Sequence, residues 1–150
     1  MPKSFSLTNI SLFKLTGEKC MKTGDIHTEK LTITAAHIQK FADFSGDFNP
    51  VHFDDEAAKA QGFKGRIAHG MVAASHFSKI FANEFPGAGT IYLSQTFKFH
   101  APVYVDEVLT YKLEVIAQKE GKPIFTVKTE AFGEDGNLRL SGEAIIRAAR

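Results

Sequence analysis

Two side chains suited to proton transfer, Asp47 and His52, stand five residues apart in the sequence. On an α-helix this spacing would turn them about 140° away from each other, so they could not reach one water molecule. Pro50 opposes a helix at this point, because it has no amide donor and biases Asn49 toward extended backbone. We therefore expect an ordered loop in which Asp47 and His52 converge as a general acid–base pair.

Two neighbouring residues extend this candidate site. Asn49 supplies an amide that can hold a carbonyl oxygen or orient an adjacent side chain. Gly70 stands where a helix is expected to begin, and the first amides of a helix have no partner within the helix. A glycine there lets a substrate carbonyl approach closely, and a donor so placed typically contributes about 100-fold or more in rate. His69 is expected to be structural, with its ring bonded to nearby backbone.

The candidate loop is expected to lie between two helices. Residues 25–33 are compatible with a strand, and Thr34 is a suitable N-cap for a helix that ends near Gly46. Acidic residues at 54–56 favour the start of a second, short helix over residues 56–61, because carboxylates stabilise the positive end of the helix dipole. This order places one helix before the loop and one after it.

Beyond Gly70 the sequence predicts one long helix and then only strands. Residues 71–85 are apolar on almost every side, which is typical of a buried helix. From Thr90 onward the apolar period changes to two, with turns near Gly121 and residues 134–137. This order is typical of an α+β fold, and we expect a curved antiparallel sheet of about five strands wrapped around the buried helix. The exposed edge of such a sheet favours a homodimer.

The composition limits the classes of protein to which the chain can belong. Its 150 residues, 43% of them hydrophobic, suffice for one domain with one core. The formal charge of +1 provides no basic field for nucleic acid, and no apolar run is long enough to span a membrane. Cys20 is the only cysteine, so no internal disulfide can form, and a reducing, cytoplasmic compartment is expected.

Two motifs resemble the signature of the MaoC-like, (R)-specific enoyl-CoA hydratases, namely Ser-Gly-Asp-Phe-Asn-Pro-Val-His at 45–52 and Ile-Ala-His-Gly-Met at 67–71. The similarity continues through residues 86–93 and 102–108 and covers roughly residues 24–147. This resemblance implies a hot-dog fold, usually dimeric, with an acyl-CoA bound near the subunit interface. It also implies reversible syn addition of water to a trans-2-enoyl thioester, which gives the (3R)-3-hydroxyacyl thioester without a metal or organic cofactor.

The resemblance also implies roles for individual residues. The family's catalytic pair falls on Asp47 and His52, its supporting amide on Asn49 and its carbonyl-binding backbone amide on Gly70. All four positions match the family's pattern.

The resemblance further indicates how the acyl chain is held. Ser78 and Phe81, one turn apart on the long helix, resemble positions that line the family's acyl tunnel. If the Phe81 ring caps that tunnel, short acyl chains are preferred. Residues 1–23 have no counterpart in compact single-domain members, so we expect an N-terminal extension of open role before a single domain at 24–150.

Three functions stay open at this point. The first is the hydratase, acting on CoA esters or, as a 3-hydroxyacyl-ACP dehydratase, on acyl carrier protein. The second is an acyl-CoA thioesterase on the same fold, which would release a free thiol. The third is a non-catalytic acyl-thioester-binding subunit, against which the intact acid–base pair counts. The possible metal ligands His52, Asp54, Asp55 and His76 have no convincing ligand spacing, so no metal is expected.

Overall fold

The computed structural model describes residues 21–149, so residues 1–20 of the predicted extension, with Cys20, lie outside the described part. In chain order the elements are β1 Ile26–Ile33, α1 Ala35–Ser45, a 3₁₀ turn Pro50–His52, α2 Asp55–Ala60, α3 Gly70–Asn83, β2 Ile91–Gln95, β3 Lys98–Phe99, β4 Glu107–Gln118, β5 Ile124–Phe132 and β6 Leu138–Arg147. No helix in this range is long and apolar enough to cross a membrane.

All strands between residues 21 and 149 belong to one antiparallel sheet, in the order β1-β4-β5-β6-β2, with β3 also paired to β6. The α+β class predicted from the sequence is confirmed, but the sheet has six strands and not about five. The additional strand arises because the first stretch of apolar alternation after Thr90 is broken into two strands. Its two parts, β2 and β3, pair with different stretches of β6.

The break in the edge strand lies at Thr96. The Thr96 N–H donates to the carbonyl oxygen of Glu143 at 3.0 Å, and the Thr96 hydroxyl accepts from the Glu143 N–H at 3.0 Å. The Thr96 carbonyl lies so close to Gly142 that a Cβ at that position would overlap it. The edge strand resumes as β3, where the Phe99 ring lies against Gly70 at the start of α3.

Helix α3 provides the centre of the core. Phe77 packs against Tyr111 of β4 with ring centroids 5.2 Å apart, and the Tyr111 hydroxyl donates to the Ala73 carbonyl oxygen at 2.9 Å. The prediction that this helix is buried is wrong for one of its faces. Its outward face carries exposed residues that are mostly small or polar: Met71, Ser75, Ser78, Lys79 and Ala82.

The predicted end of this helix also needs correction. Helix α3 spans Gly70–Asn83 and not residues 71–85. Pro86 disfavours the helical conformation at Phe85, so the helix ends before it.

The alternation of apolar and polar residues correctly predicts which side chains of β4 are buried, but it is misleading for β2. Leu109, Leu113 and their apolar neighbours on β4 are fully buried, as the period of two predicts. On β2 the apolar residues Ile91 and Leu93 are exposed, whereas Tyr92 points inward and packs edge-on against Phe81. On β2, which lies at one edge of the sheet, the inward face carries Tyr92. Ile91 and Leu93 therefore lie on the opposite face, where the described residues leave them about half exposed.

The first helix forms as its termini predict. Thr34 caps α1 in a reciprocal arrangement, in which its hydroxyl accepts from the His37 N–H and its own N–H donates to His37 Nδ1. The helix ends at Gly46, which has a φ of 80° and whose N–H donates to the Ala42 carbonyl oxygen at 2.8 Å. This left-handed residue turns the chain directly into Asp47.

The short helix begins and ends one residue earlier than predicted, at Asp55–Ala60. The shift occurs because Asp54 is the N-cap, and its carboxylate accepts from the Glu56 and Ala57 N–H groups at 2.7 and 3.1 Å. The chain leaves the helix at Gly62, which has a φ of 88°.

Candidate active site

Side-chain-to-backbone hydrogen bonds shape the loop between α1 and α2. The Asp47 carboxylate accepts from the Asn49 N–H at 3.1 Å, and the Asn49 side-chain oxygen accepts from the Val51 N–H at 3.4 Å. These are two successive Asx turns, in which each side chain substitutes for a backbone acceptor. Pro50 then opens the single 3₁₀ turn that ends at His52. The loop is therefore ordered by its own residues, as the sequence predicts.

His52 is held with one ring nitrogen facing Asp47. Its Nδ1 donates to the carbonyl oxygen of Ile67 at 2.8 Å, which leaves Nε2 with a lone pair in the neutral ring. Nε2 lies 4.0 Å from Asp47 Oδ2. Both atoms can reach one water oxygen at about 2.8 Å from each. The predicted convergence of the two side chains is confirmed.

The surroundings of His52 favour its uncharged form. Burial lowers the pKa of the His52 imidazole, and the neighbouring His69 ring acts in the same direction. The bond to the Ile67 carbonyl and the charge of Asp47 act in the opposite direction without reversing the shift. Near neutral pH the ring is thus predominantly neutral and its Nε2 can accept a proton.

His69 lies directly beneath this pair, a proximity that the sequence did not reveal. Its Nε2 donates to the Asp47 carbonyl oxygen at 2.9 Å and lies 3.9 Å from Asp47 Oδ2. Its ring packs on the His52 ring with centroids 3.7 Å apart. The expected bond from this ring to backbone is confirmed. The sequence signals for its position are its place next to Gly70 and within the motif at 67–71.

The first turn of α3 offers free amides beside the pair. Gly70 is the first residue of the helix, and its N-cap residue His69 makes no side-chain bond to the helix amides. Such amides carry the positive end of the helix dipole and can bind a negatively charged oxygen. The Phe99 ring covers the Cα of Gly70. The ring takes the space that a side chain at position 70 would need.

Asp47, His52 and Gly70 all line one cleft with a volume of about 600 Å³. The rest of its wall is mainly apolar, formed by Phe41, Phe63, Ile67, Phe99, Val103 and Leu140 among others. An apolar wall with a few convergent polar groups suits a ligand that has a greasy chain and one reactive polar centre. The arrangement can thus place a carbonyl on the helix amides and a water between the acid–base pair.

The structure does not bring the three predicted substrate-binding side chains into this cleft. The Asn49 side chain caps the 3₁₀ turn. Ser78 lines a second groove beside Tyr92 and Leu93 of β2. Phe81 is only 1% exposed and packs in the core against Tyr92. Their roles toward a substrate stay predictions.

One group of side chains within residues 21–149 brings three possible metal ligands together, namely Asp47, His52 and His69. Zinc in proteins takes lone pairs from three or four protein ligands. In the observed arrangement His69 Nε2 carries the hydrogen that it donates to the Asp47 carbonyl oxygen, so it has no lone pair to offer at that atom. Two remaining donors do not fit a protein metal centre.

Taken together, the fold and the site define an α+β domain that presents an acid–base pair and helix amides within an apolar cleft. The family described as "MaoC like domain" matches residues 20–134, which is most of the chain. The chain belongs to this MaoC-like family, as the two motifs predict.

The chain is similar to two kinds of curated relatives. It is 42% identical over 113 residues to an (R)-specific enoyl-CoA hydratase of Aeromonas caviae, covering 75% of this chain and 84% of the relative. It is 35% identical over 137 residues to a mitochondrial 3-hydroxyacyl-[acyl-carrier-protein] dehydratase of Arabidopsis thaliana, covering 89% and 81%. Both names describe addition or removal of water.

Solved structures agree with this assignment. The (R)-hydratase from A. caviae involved in PHA biosynthesis superimposes with a TM-score of 0.82 at 38% identity, covering 86% of this chain and 98% of that one. R-hydratase PhaJ1 from Pseudomonas aeruginosa does so with a TM-score of 0.81 at 38% identity, covering 87% and 83%. The expected hot-dog fold is confirmed.

Proposed function

We propose that the protein is an (R)-specific enoyl-CoA hydratase, which adds water reversibly to a trans-2-enoyl-CoA and forms the (3R)-3-hydroxyacyl-CoA. The observation that supports it most directly is the 4.0 Å separation of Asp47 Oδ2 and His52 Nε2 in a cleft that also contains the amide of Gly70. The A. caviae relative, named for this activity, supports the same choice.

The geometry accounts for each step of such a hydration. The thioester carbonyl accepts a hydrogen bond from the Gly70 N–H, which makes C3 of the substrate electrophilic. A water held between Asp47 and His52 attacks C3 while His52 Nε2 takes its proton, and the electrons of the double bond move to the carbonyl oxygen as an enolate. The His52 imidazolium, stabilised by the Asp47 carboxylate, then returns that proton to C2. Because one water supplies both groups from one side of the substrate, the addition is syn.

The hydration is tested with crotonyl-CoA by following the loss of enoyl absorbance. Asp47→Asn and His52→Gln are each expected to lower kcat by at least about 100-fold, as removal of a general acid or base does. Asp43→Asn is the matched control, because Asp43 is an exposed acid on α1 whose carboxylate bonds only to Gln39 among the described residues. Wild-type rates in either site variant would contradict the assignment.

The same assay distinguishes the alternatives. Release of free CoA thiol with no hydrated product would indicate a thioesterase. Absence of any turnover, with acyl-CoA still bound, would indicate a non-catalytic binding subunit.

The extent of similarity to two relatives favours acyl carrier protein as a second possible carrier of the acyl group. Dehydratases of Arabidopsis and of Solanum lycopersicum, named for acyl carrier protein, align over 89% and 96% of this chain, compared with 75% for the A. caviae hydratase. A (3R)-hydroxyacyl-ACP dehydratase is therefore the second candidate. Matched crotonyl-CoA and crotonyl-ACP assays decide between them, and we expect the higher kcat/KM with the CoA ester.

We further propose that the protein is a homodimer joined at the edge strand β2. Ile91 and Leu93 on this strand are 45% and 50% exposed, and Met71 of α3, which lines the same groove as Leu93, is also exposed. Exposed apolar side chains on an unpaired strand edge favour pairing with a second copy. Burial of this edge would also cover the groove that contains Ser78.

We also propose that the reaction needs no metal or organic cofactor, with CoA present only as part of the substrate. Asp47, His52 and the Gly70 amide supply all the proton transfers and the oxyanion donor. Dialysis against a chelator is expected to leave the crotonyl-CoA rate unchanged.

We propose a cytoplasmic location for the protein. This location fits Cys20, since a single cysteine allows no internal disulfide.

A further inference from the structure

His69 is placed where it contacts both halves of the site. It is the N-cap residue of α3, immediately before Gly70, and is only 3% exposed. An N-cap side chain usually bonds the first amides of its helix, but that of His69 does not. Its ring points instead toward the loop that carries Asp47 and His52.

The His69 hydrogen bond anchors the Asp47 end of this loop. Asp47 also bonds to Ser45 and Asn49, but both are only two residues away in the chain. Within the described part of the protein, Asp47 has one hydrogen bond to an element distant in sequence. That bond is donated by His69 Nε2 to the Asp47 carbonyl oxygen. The Asp47 side chain itself is about half exposed, so little other packing fixes it.

The His69 ring also supports His52. The two rings lie 3.7 Å apart between centroids, with a tilt of 31° between their planes. The Ile67 carbonyl fixes one edge of the His52 ring, and His69 fixes its face. Rotation of the His52 ring away from Asp47 is therefore opposed by both contacts.

The unused nitrogen of His69 is the second observation. With Nε2 donating, Nδ1 is a buried lone pair that has no hydrogen-bond partner among residues 21–149. An unsatisfied buried acceptor costs stability, so packing alone would be served better by an apolar side chain. The presence of histidine despite this loss of stability is explained if its Nε2 hydrogen bond holds Asp47 in place.

From these contacts we infer that His69 is a positioning residue, which ties the loop bearing Asp47 and His52 to the helix turn that presents Gly70. It keeps the shared water and the oxyanion donor at a set distance. This inference rests on the proposed hydratase function and assigns His69 no proton transfer of its own.

Two substitutions separate donation from packing. His69→Gln keeps an N–H donor near the position of Nε2, whereas His69→Leu keeps a similar bulk without any donor. The matched control is His76→Gln, since His76 lies on the same helix, has a side chain that is only 12% exposed and bonds to Glu29 away from the cleft. Each variant is assayed with crotonyl-CoA, and its folding is checked by thermal unfolding.

We expect His69→Leu to lower kcat by about 10- to 100-fold with KM changed less than about threefold, since misplacement of catalytic groups costs rate more than binding. His69→Gln is expected to keep kcat within about threefold of the wild type, as is His76→Gln. Equal kcat in the Leu and Gln variants, or a loss confined to KM, would overturn the inference. If the wild type and His76→Gln are themselves inactive, the proposed function has failed instead.

A measurement on the unaltered protein covers the case in which His69→Leu does not fold. Two-dimensional ¹H–¹⁵N spectra of the histidine rings are expected to show His69 protonated at Nε2, with that proton protected from exchange. Protonation at Nδ1, or rapid exchange of the Nε2 proton, would show that the bond to Asp47 is not formed and would overturn the inference whatever the activity.

Discussion

Replacing Gly70 by alanine separates the packing of α3 from access of a substrate carbonyl to the helix amides. A Cβ at this position would lie 2.7 Å from Cε1 and 2.8 Å from Cδ1 of the Phe99 ring. Carbon atoms pack at about 3.5 Å or more, so the ring or the methyl group must give way by about 0.8 Å. Phe99 is 51% exposed and can move outward. The displaced ring and the new methyl group would then occupy the space next to the Gly70 N–H.

The expected effect on catalysis is far larger than the effect on stability. Alanine is favoured over glycine in helices by up to about 1 kcal/mol, which offsets the cost of moving an exposed ring. We therefore expect the free energy of unfolding to change by less than about 1 kcal/mol. Loss of an oxyanion donor lowers kcat by about 100-fold, which corresponds to about 2.7 kcal/mol in the activation barrier. The assay is crotonyl-CoA hydration, with urea unfolding measured in parallel.

Two further variants identify the cause of the loss. Gly65→Ala is the matched control, because a Cβ there meets only the end of the Asp55 side chain, at 3.2 Å. Its activity should equal that of the wild type. In Gly70→Ala/Phe99→Ala the ring is gone, so a persistent loss relative to Phe99→Ala alone identifies the methyl group as the obstacle. Full activity in Gly70→Ala would refute the assignment of this amide as the oxyanion donor.

Burial lowers the pKa of His52 and of His76 in the folded protein, the latter despite its bond to Glu29, so the unfolded chain binds protons more readily. The free energy of unfolding, measured in urea at several pH values, is expected to be highest above the ordinary pKa of 6.5 and to decrease as the pH falls below it. Leu93→Asp should shift the sedimentation coefficient from dimer to monomer, and an unchanged value would count against the β2 interface. Phe81→Ala should cost about 3–5 kcal/mol of stability and leave the ratio of crotonyl to dodecenoyl rates unchanged, because the ring lies in the core. A gain with dodecenoyl-CoA would instead support the tunnel role.

The parts of this protein that follow from local chemistry were predictable from the sequence. Thr34 and Gly46 delimit α1 because capping and left-handed residues act within one helical turn. Pro50 breaks the helical pattern at its own position and brings the loop into a single 3₁₀ turn. The alternation along β4 shows which side chains face the core, because a central strand is covered on that face.

The burial of residues on the edge strand β2 was less predictable, because it depends on which elements pack against that strand. The apolar residues of β2 have the same alternation as those of β4, yet Ile91 and Leu93 face outward. The likeness of Ser78 and Phe81 to tunnel positions likewise did not reveal that one lies on the outer face of α3 and the other in the core.

By itself, the sequence determined the family through its two motifs. It also determined the α+β class and the approach of Asp47 to His52, since caps, periods and a bent loop act over a few neighbouring residues. Only the tertiary structure decided how far Asp47 lies from His52 and that His69 supports them both. It alone placed Phe99 over Gly70. These contacts join residues up to 29 positions apart, and their distances depend on how α3 packs between the loop and the sheet, which no local pattern encodes.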